Sequence, residues 1–150
     1  MMTKTKPTPA KIQDEIVREF EALGDWEARY KHIIALGKAL PPFSEEKQMP
    51  QNLVKGCQSQ VWMTAELVDG SDGKVMHIDA DSDAMIVRGL VALLLRVYSD
   101  QPPEVILQTK PEFFARIGMG EHLSMQRANG LFAMVKQIQM FATVFHLQAR

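Results

Sequence analysis

The chain has 150 residues and balances 17 Lys and Arg against 18 Asp and Glu, for a formal net charge of −1 with its histidines neutral. A chain of that length buries roughly 70% of the surface its unfolded form exposes, so one domain can fold on its own core without a disulfide or a structural metal. The balanced charge lacks the basic excess that a phosphate backbone requires, which argues against a nucleic-acid partner.

Residues 1–9 hold two prolines, three threonines and two lysines among little that could pack, and read as a mobile tail ahead of a single domain over 10–150. Ile12, Ile16, Phe20 and Leu23 recur at spacings of three and four, the period of one helix face. Gly24 can end that helix and Asp25 can cap the next. Trp26, Tyr30, Ile33, Ile34, Gly37 and Leu40 form the second apolar stripe, which stops at Pro41-Pro42. Residues 41–58 contain three prolines and no period of either kind, so they read as a long loop.

From Gln60 the period changes to two. Val61, Met63, Ala65 and Leu67 would face one side of a strand, and Trp62 would anchor it. Asp69 to Gly73 supplies a turn, and Met76, Ile78 and Ala80 alternate on a return strand over 74–80. A further short strand near Cys57 is expected to join this hairpin. Asp81, Ser82 and Asp83 offer N-cap oxygens to the apolar helix MIVRGLVALLLRVY, whose charges are Arg88 and Arg96. A short helix is expected after Pro102-Pro103, and another after the capping box spanning Thr109 to Glu112. Ser124 can cap a last helix striped with Leu131, Met134, Val135, Ile138, Ala142 and Phe145. This order predicts an α+β fold, a small antiparallel sheet packed against several helices.

The single cysteine, Cys57, excludes an intramolecular disulfide and the multi-cysteine zinc patterns. A free thiol suits a reducing cytosol. The N-terminus has no apolar signal core, and no apolar run reaches the roughly 18 residues of a membrane span, so a cytoplasmic protein without membrane attachment is expected. Cys57 by itself leaves two readings open, a small buried hydrophobe or a working thiol. Gly56 frees the backbone to approach a partner, and the charge of Lys55 favours the thiolate. A cysteine hydrolase would need a histidine base, for which His32, His77, His122 and His146 are the candidates. The glycines form neither a P-loop nor a dinucleotide-binding pattern. Arg127 falls in the first turn of the last helix, where the dipole disfavours a cation, and reaching out to water or pairing with a carboxylate is the ordinary expectation. Gly130 costs about 1 kcal/mol against alanine inside a helix, and close approach of the cysteine loop would explain it.

With these residues in view, the chain resembles the SufE family of sulfur acceptor proteins. The segment GCQSQVW, Gly56 to Trp62, is similar to the motif around that family's persulfide-forming cysteine. DWEARYKHIIALGKALP, DADSDAMIVRGLVALLL and HLSMQRANGL match further family segments in order. GCQSQVW resembles the SufE branch more than the related CsdE branch, and Met125 stands where the family often has proline. The resemblance implies a fold similar to SufE and IscU. It also implies that Cys57 takes sulfur from the persulfide of a SufS-like cysteine desulfurase and stimulates that enzyme. The sulfur would then pass to cluster assembly on a SufB-containing complex. Arg127 matches the arginine of the C-terminal motif and would engage the partner or stabilise the sulfur anion. Asp81 and Asp83 fall in the family's GDSDA-like turn, where helix capping suffices for them, and His122 varies among relatives and takes no catalytic role. On this reading the chain is not itself an enzyme. It carries no resident cofactor or metal, and the pyridoxal phosphate belongs to the partner. A homodimer is compatible with it. The alternative of a different class is an iron-sulfur cluster scaffold, which should carry several ligands where this chain has one cysteine.

Overall fold

In the computed structural model, which describes residues 6–57 and 59–148, seven helices surround one two-stranded sheet. Helix α1 (Pro9–Leu23) begins at a proline whose missing N–H costs nothing there, and the Thr8 hydroxyl accepts from Lys11 N. Ile12, Ile16 and Phe20 are buried along it, and Gly24, at φ 78°, ends it. Residues 6–9 are not the loose tail that their composition suggested. The Lys6 ammonium donates to the Leu95 and Ser99 carbonyls, and Gln101 Nε2 donates to Pro7 O at 2.9 Å. The last carbonyls of a helix attract a cation, which composition cannot reveal. Residues 1–5 lie outside the described residues.

Asp25 caps α2 (Trp26–Lys38) through Ala28 N at 2.9 Å, as its position predicts. The helix stops at Ala39, ahead of the prolines, and buries Ile33 and Gly37. Strands β1 (Val61–Gly70) and β2 (Gly73–Ser82) pair antiparallel, with Met63 opposite Ala80 and Ala65 opposite Ile78. Val61, Met63, Met76, Ile78 and Ala80 are buried, so one face of the ribbon closes on the core. The expected extra strand shrinks to an isolated bridge between Leu53 and Trp62.

Helix α3 (Met85–Tyr98) lies between the sheet and α2 and buries eight residues, among them Leu90, Leu94 and Val97. Of its predicted caps, Ser82 Oγ accepts from Ala84 N at 3.2 Å, while Asp81 and Asp83 act elsewhere. Ala84 occupies the cap position without a side-chain bond, Asp81 pairs with Arg88 Nε at 3.1 Å, and Asp83 turns to the cysteine loop. The strand runs on through Ser82, so these side chains are committed before the helix starts. Arg96 pairs with Glu19 of α1, which holds the Glu19 carboxyl below its ordinary range.

Two short helices follow, α4 (Pro103–Leu107) and α5 (Glu112–Arg116). The capping box does not form. Thr109 Oγ1 donates backward to Val105 O at 2.7 Å, and the buried Gln13 of α1 accepts from Phe113 N at 2.8 Å in its place. The four-residue α6 (Met119–His122) leads into α7 (Met125–Gln148), where Ser124 Oγ accepts from Arg127 N at 3.3 Å. The predicted α7 stripe is buried from Leu131 to Ala142. Among the described residues no helix is long and apolar enough to cross a membrane.

Candidate functional site

Two ties close the base of the cysteine loop. On one side Val54 N donates to Val61 O at 2.8 Å. On the other, Gln60 N donates to Asp83 Oδ1 at 3.1 Å while Asp83 N donates to Gln60 O at 3.3 Å. Between the ties the chain turns at Gly56, whose φ of 94° lies in the left-handed region that favours glycine. A side chain there would also crowd Ala133 of α7, at 3.2 Å. The turn sends Cys57 inward against α7. Its Sγ donates to Gly130 O at 3.5 Å, and the thiol sits half-buried.

The close approach expected of Gly130 is therefore real, although a β-carbon there would stand 3.7 Å from the sulfur, an ordinary contact. A cavity of about 270 Å³ opens beside the thiol. Val61, Val87, Leu90 and Met134 form its apolar wall, and Ser59, Ser124, Gln126 and Arg127 its polar one. Arg127 is exposed at its rim and among the described residues has no carboxylate partner, so it reaches out to water, one of the two ordinary expectations for it. The α7 macrodipole adds positive potential at the same wall.

The electrostatics of the resting thiol differ from the sequence expectation. Burial pushes the Cys57 thiol up and so favours the thiol over the thiolate. A proton on the sulfur protects it, because the thiolate is the form that oxidises and exchanges. Among the described residues the thiol's hydrogen bond goes to Gly130 O and no histidine lines the cavity, so no Cys-His pair forms there. His32 lies against Phe20 and Glu19, His77 bonds Asp100 and Asp79, and His122 stacks on Trp26. Among the described residues no three His, Cys, Asp or Glu side chains group as a metal site.

The structure thus brings Cys57, Arg127 and Gly130 to one cavity. It adds Asp83 as the tie of the loop and Ser59 and Gln126 as cavity wall. Nothing in the sequence could reveal the Gln60–Asp83 pair, because its partners lie on different elements.

A small α+β domain that half-buries its single thiol at a cavity shared with Arg127 is a thiol-bearing domain. The comparisons make this specific. The model of the SufE family, described as an Fe-S metabolism associated domain, matches residues 14–142. An uncharacterized SufE-like protein of Rhizobium etli is 48% identical over 132 residues, covering 87% of this chain and 89% of its own. A second, from Rhizobium meliloti, is 40% identical over 127 residues, covering 84% and 91%. The solution structure of a hypothetical protein from Thermus thermophilus superposes with a TM-score of 0.72 over 91% of this chain and 96% of that one, at 21% identity, and shows the shared fold. The chain belongs to the SufE family.

Proposed function

We propose that Cys57 is a sulfur carrier, loaded by a pyridoxal-phosphate-dependent cysteine desulfurase. The Cys57 thiolate attacks the outer sulfur of the partner's cysteine persulfide. A new S–S bond forms at Cys57 as the partner's S–S bond breaks, and the partner's sulfur leaves as thiolate. No external oxidant or reductant is needed, since the sulfane sulfur keeps its oxidation state. Repeating the exchange with an acceptor thiol regenerates Cys57 and passes the sulfur on to iron-sulfur cluster assembly, for which a SufB-containing complex in the cytoplasm is the destination. Relieving the partner of its persulfide also stimulates its turnover.

One observation carries this reading: a sheltered thiol faces a cavity large enough for an added sulfur, at a wall bearing Arg127. The guanidinium favours a persulfide anion by charge, and when the loop swings out it offers a binding group to the desulfurase. This chain does not break the C–S bond of cysteine. It accepts, holds and delivers the sulfur.

The test incubates the protein with a cysteine desulfurase, pyridoxal phosphate and L-cysteine and then weighs the intact chain. A gain of one sulfur atom's mass is expected, removed by reductant and absent in Cys57→Ser. Arg127→Ala is expected to lower the stimulation of sulfide release. Absence of both the mass gain and the stimulation overturns the reading.

A further inference from the structure

Three side chains from the first turns of α2 converge on the segment that leads into α7. The Trp26 indole stacks on the His122 ring, with centroids 3.9 Å apart and planes at 21°. The Tyr30 hydroxyl donates to the His122 carbonyl. Arg29 donates from Nη1 to Ile117 O at 3.0 Å, and its guanidinium carbon stands 5.3 Å from the Trp26 ring centroid. One residue, the buried Leu123, separates His122 from Ser124, the cap of α7. Ser124, Gln126 and Arg127 then form the polar wall of the thiol cavity.

Helix α6 spans only Met119 to His122, too short to hold a direction through its own hydrogen bonds. The angle at which the chain enters α7 must come from side chains that grip its end. The stack and the Tyr30 bond are those grips, and they act on the residue that ends α6. His122 is itself exposed, so losing its ring removes little from the core. What changes is where Ser124 and Arg127 stand relative to Cys57.

We propose that the Trp26–His122 stack and the Tyr30 hydroxyl form a clamp that positions the first turn of α7, and with it Arg127, against the cavity beside Cys57. Trp26, Tyr30 and His122 are then positioning residues for reactions of that thiol. The proposal deepens the sulfur-transfer reading and rests on it only for the identity of the sulfur donor.

The test needs no partner. Iodoacetate and iodoacetamide alkylate the same thiolate, so the ratio of their rates cancels the ionisation of Cys57 and reports positive charge near the sulfur. Arg127→Gln and His122→Ala are each expected to lower the iodoacetate preference roughly threefold, the scale of a partly screened charge. His122→Phe, which keeps a ring against Trp26, is expected to retain the wild-type ratio, and Tyr30→Phe to lower it in part. The melting temperature of His122→Ala should stay near that of the wild type. A wild-type ratio in His122→Ala overturns the clamp, as does a His122→Phe ratio as low as that of alanine, or an unchanged ratio in Arg127→Gln. If His122→Ala fails to fold, the Phe variants at 30 and 122 decide the matter. Because no desulfurase is present, failure here leaves the mass-gain experiment standing, and the reverse also holds.

Discussion

At Gly130 the balance between helix stability and chemistry can be read in a single atom. A methyl group there would stand 3.7 Å from the Cys57 sulfur, at the cavity where the proposed added sulfur would sit. Alanine also improves helix propensity by about 1 kcal/mol. Gly130→Ala is therefore expected to raise or preserve the melting temperature while slowing persulfide loading of Cys57 several-fold, measured by intact mass against time. Equal loading rates would mean that the sulfur is held elsewhere. The motif GCQSQVW marked Cys57 from sequence, and the odd glycine at 130 hinted at its neighbour. The ionisation state was not legible there. Lys55 adjoins the thiol in sequence and suggested a thiolate, but burial raises the thiol's pKa in the folded protein.

Among the elements, α2 and α3 meet backbone to backbone. A β-carbon at Gly89 would fall 2.1 Å from the Ile33 carbonyl oxygen, and one at Gly37 would fall 2.8 Å from Gly89 N. Neither neighbour is a flexible side-chain end, so the helices would have to part. Gly89→Ala is expected to destabilise the fold by about 3 kcal/mol, at the upper end of overpacking costs, in urea unfolding followed by circular dichroism. A loss below about 1 kcal/mol would mean that the pair relaxes freely. Periodicity found the helices and the hairpin because each carries its apolar face in its own residues. It failed at the caps. Asp83 and Thr109 had suitable oxygens at suitable spacings, yet distant partners or competing carbonyls claimed them.

Across the whole molecule, pH acts through a surface contact that joins β2 to the connection after α3. His77 Nδ1 stands 2.8 Å from Asp100 Oδ1, and its Nε2 stands 3.4 Å from Asp79 Oδ1. The bond to Asp100 raises the His77 pKa, with smaller charge contributions from Asp100 and Asp79. A raised folded pKa favours the protonated ring in the folded state. The stabilisation is therefore full below the unfolded histidine pKa of about 6.5 and fades as pH rises through the higher folded value. Wild-type stability is expected to fall over that interval, and His77→Gln to remove that part of the slope, in denaturant titrations at a series of pH values. An identical slope in both proteins would place the dependence elsewhere. The contact matters because Asp100, at φ 63°, holds the turn that returns the chain to β2 through Met76.

By itself the sequence determined the α+β class, the order of helices and strands, the solitary thiol and the family motif around it. Each of these is written in local period, local turn chemistry or residue count. Only the tertiary structure decided that Lys6 is fastened to the end of α3, that Gln13 caps α5, that Asp83 ties the cysteine loop, and that burial raises the pKa of Cys57. These outcomes depend on which polar groups meet after the chain has closed and on how much water is then left around them. Neither quantity is carried by neighbours in sequence.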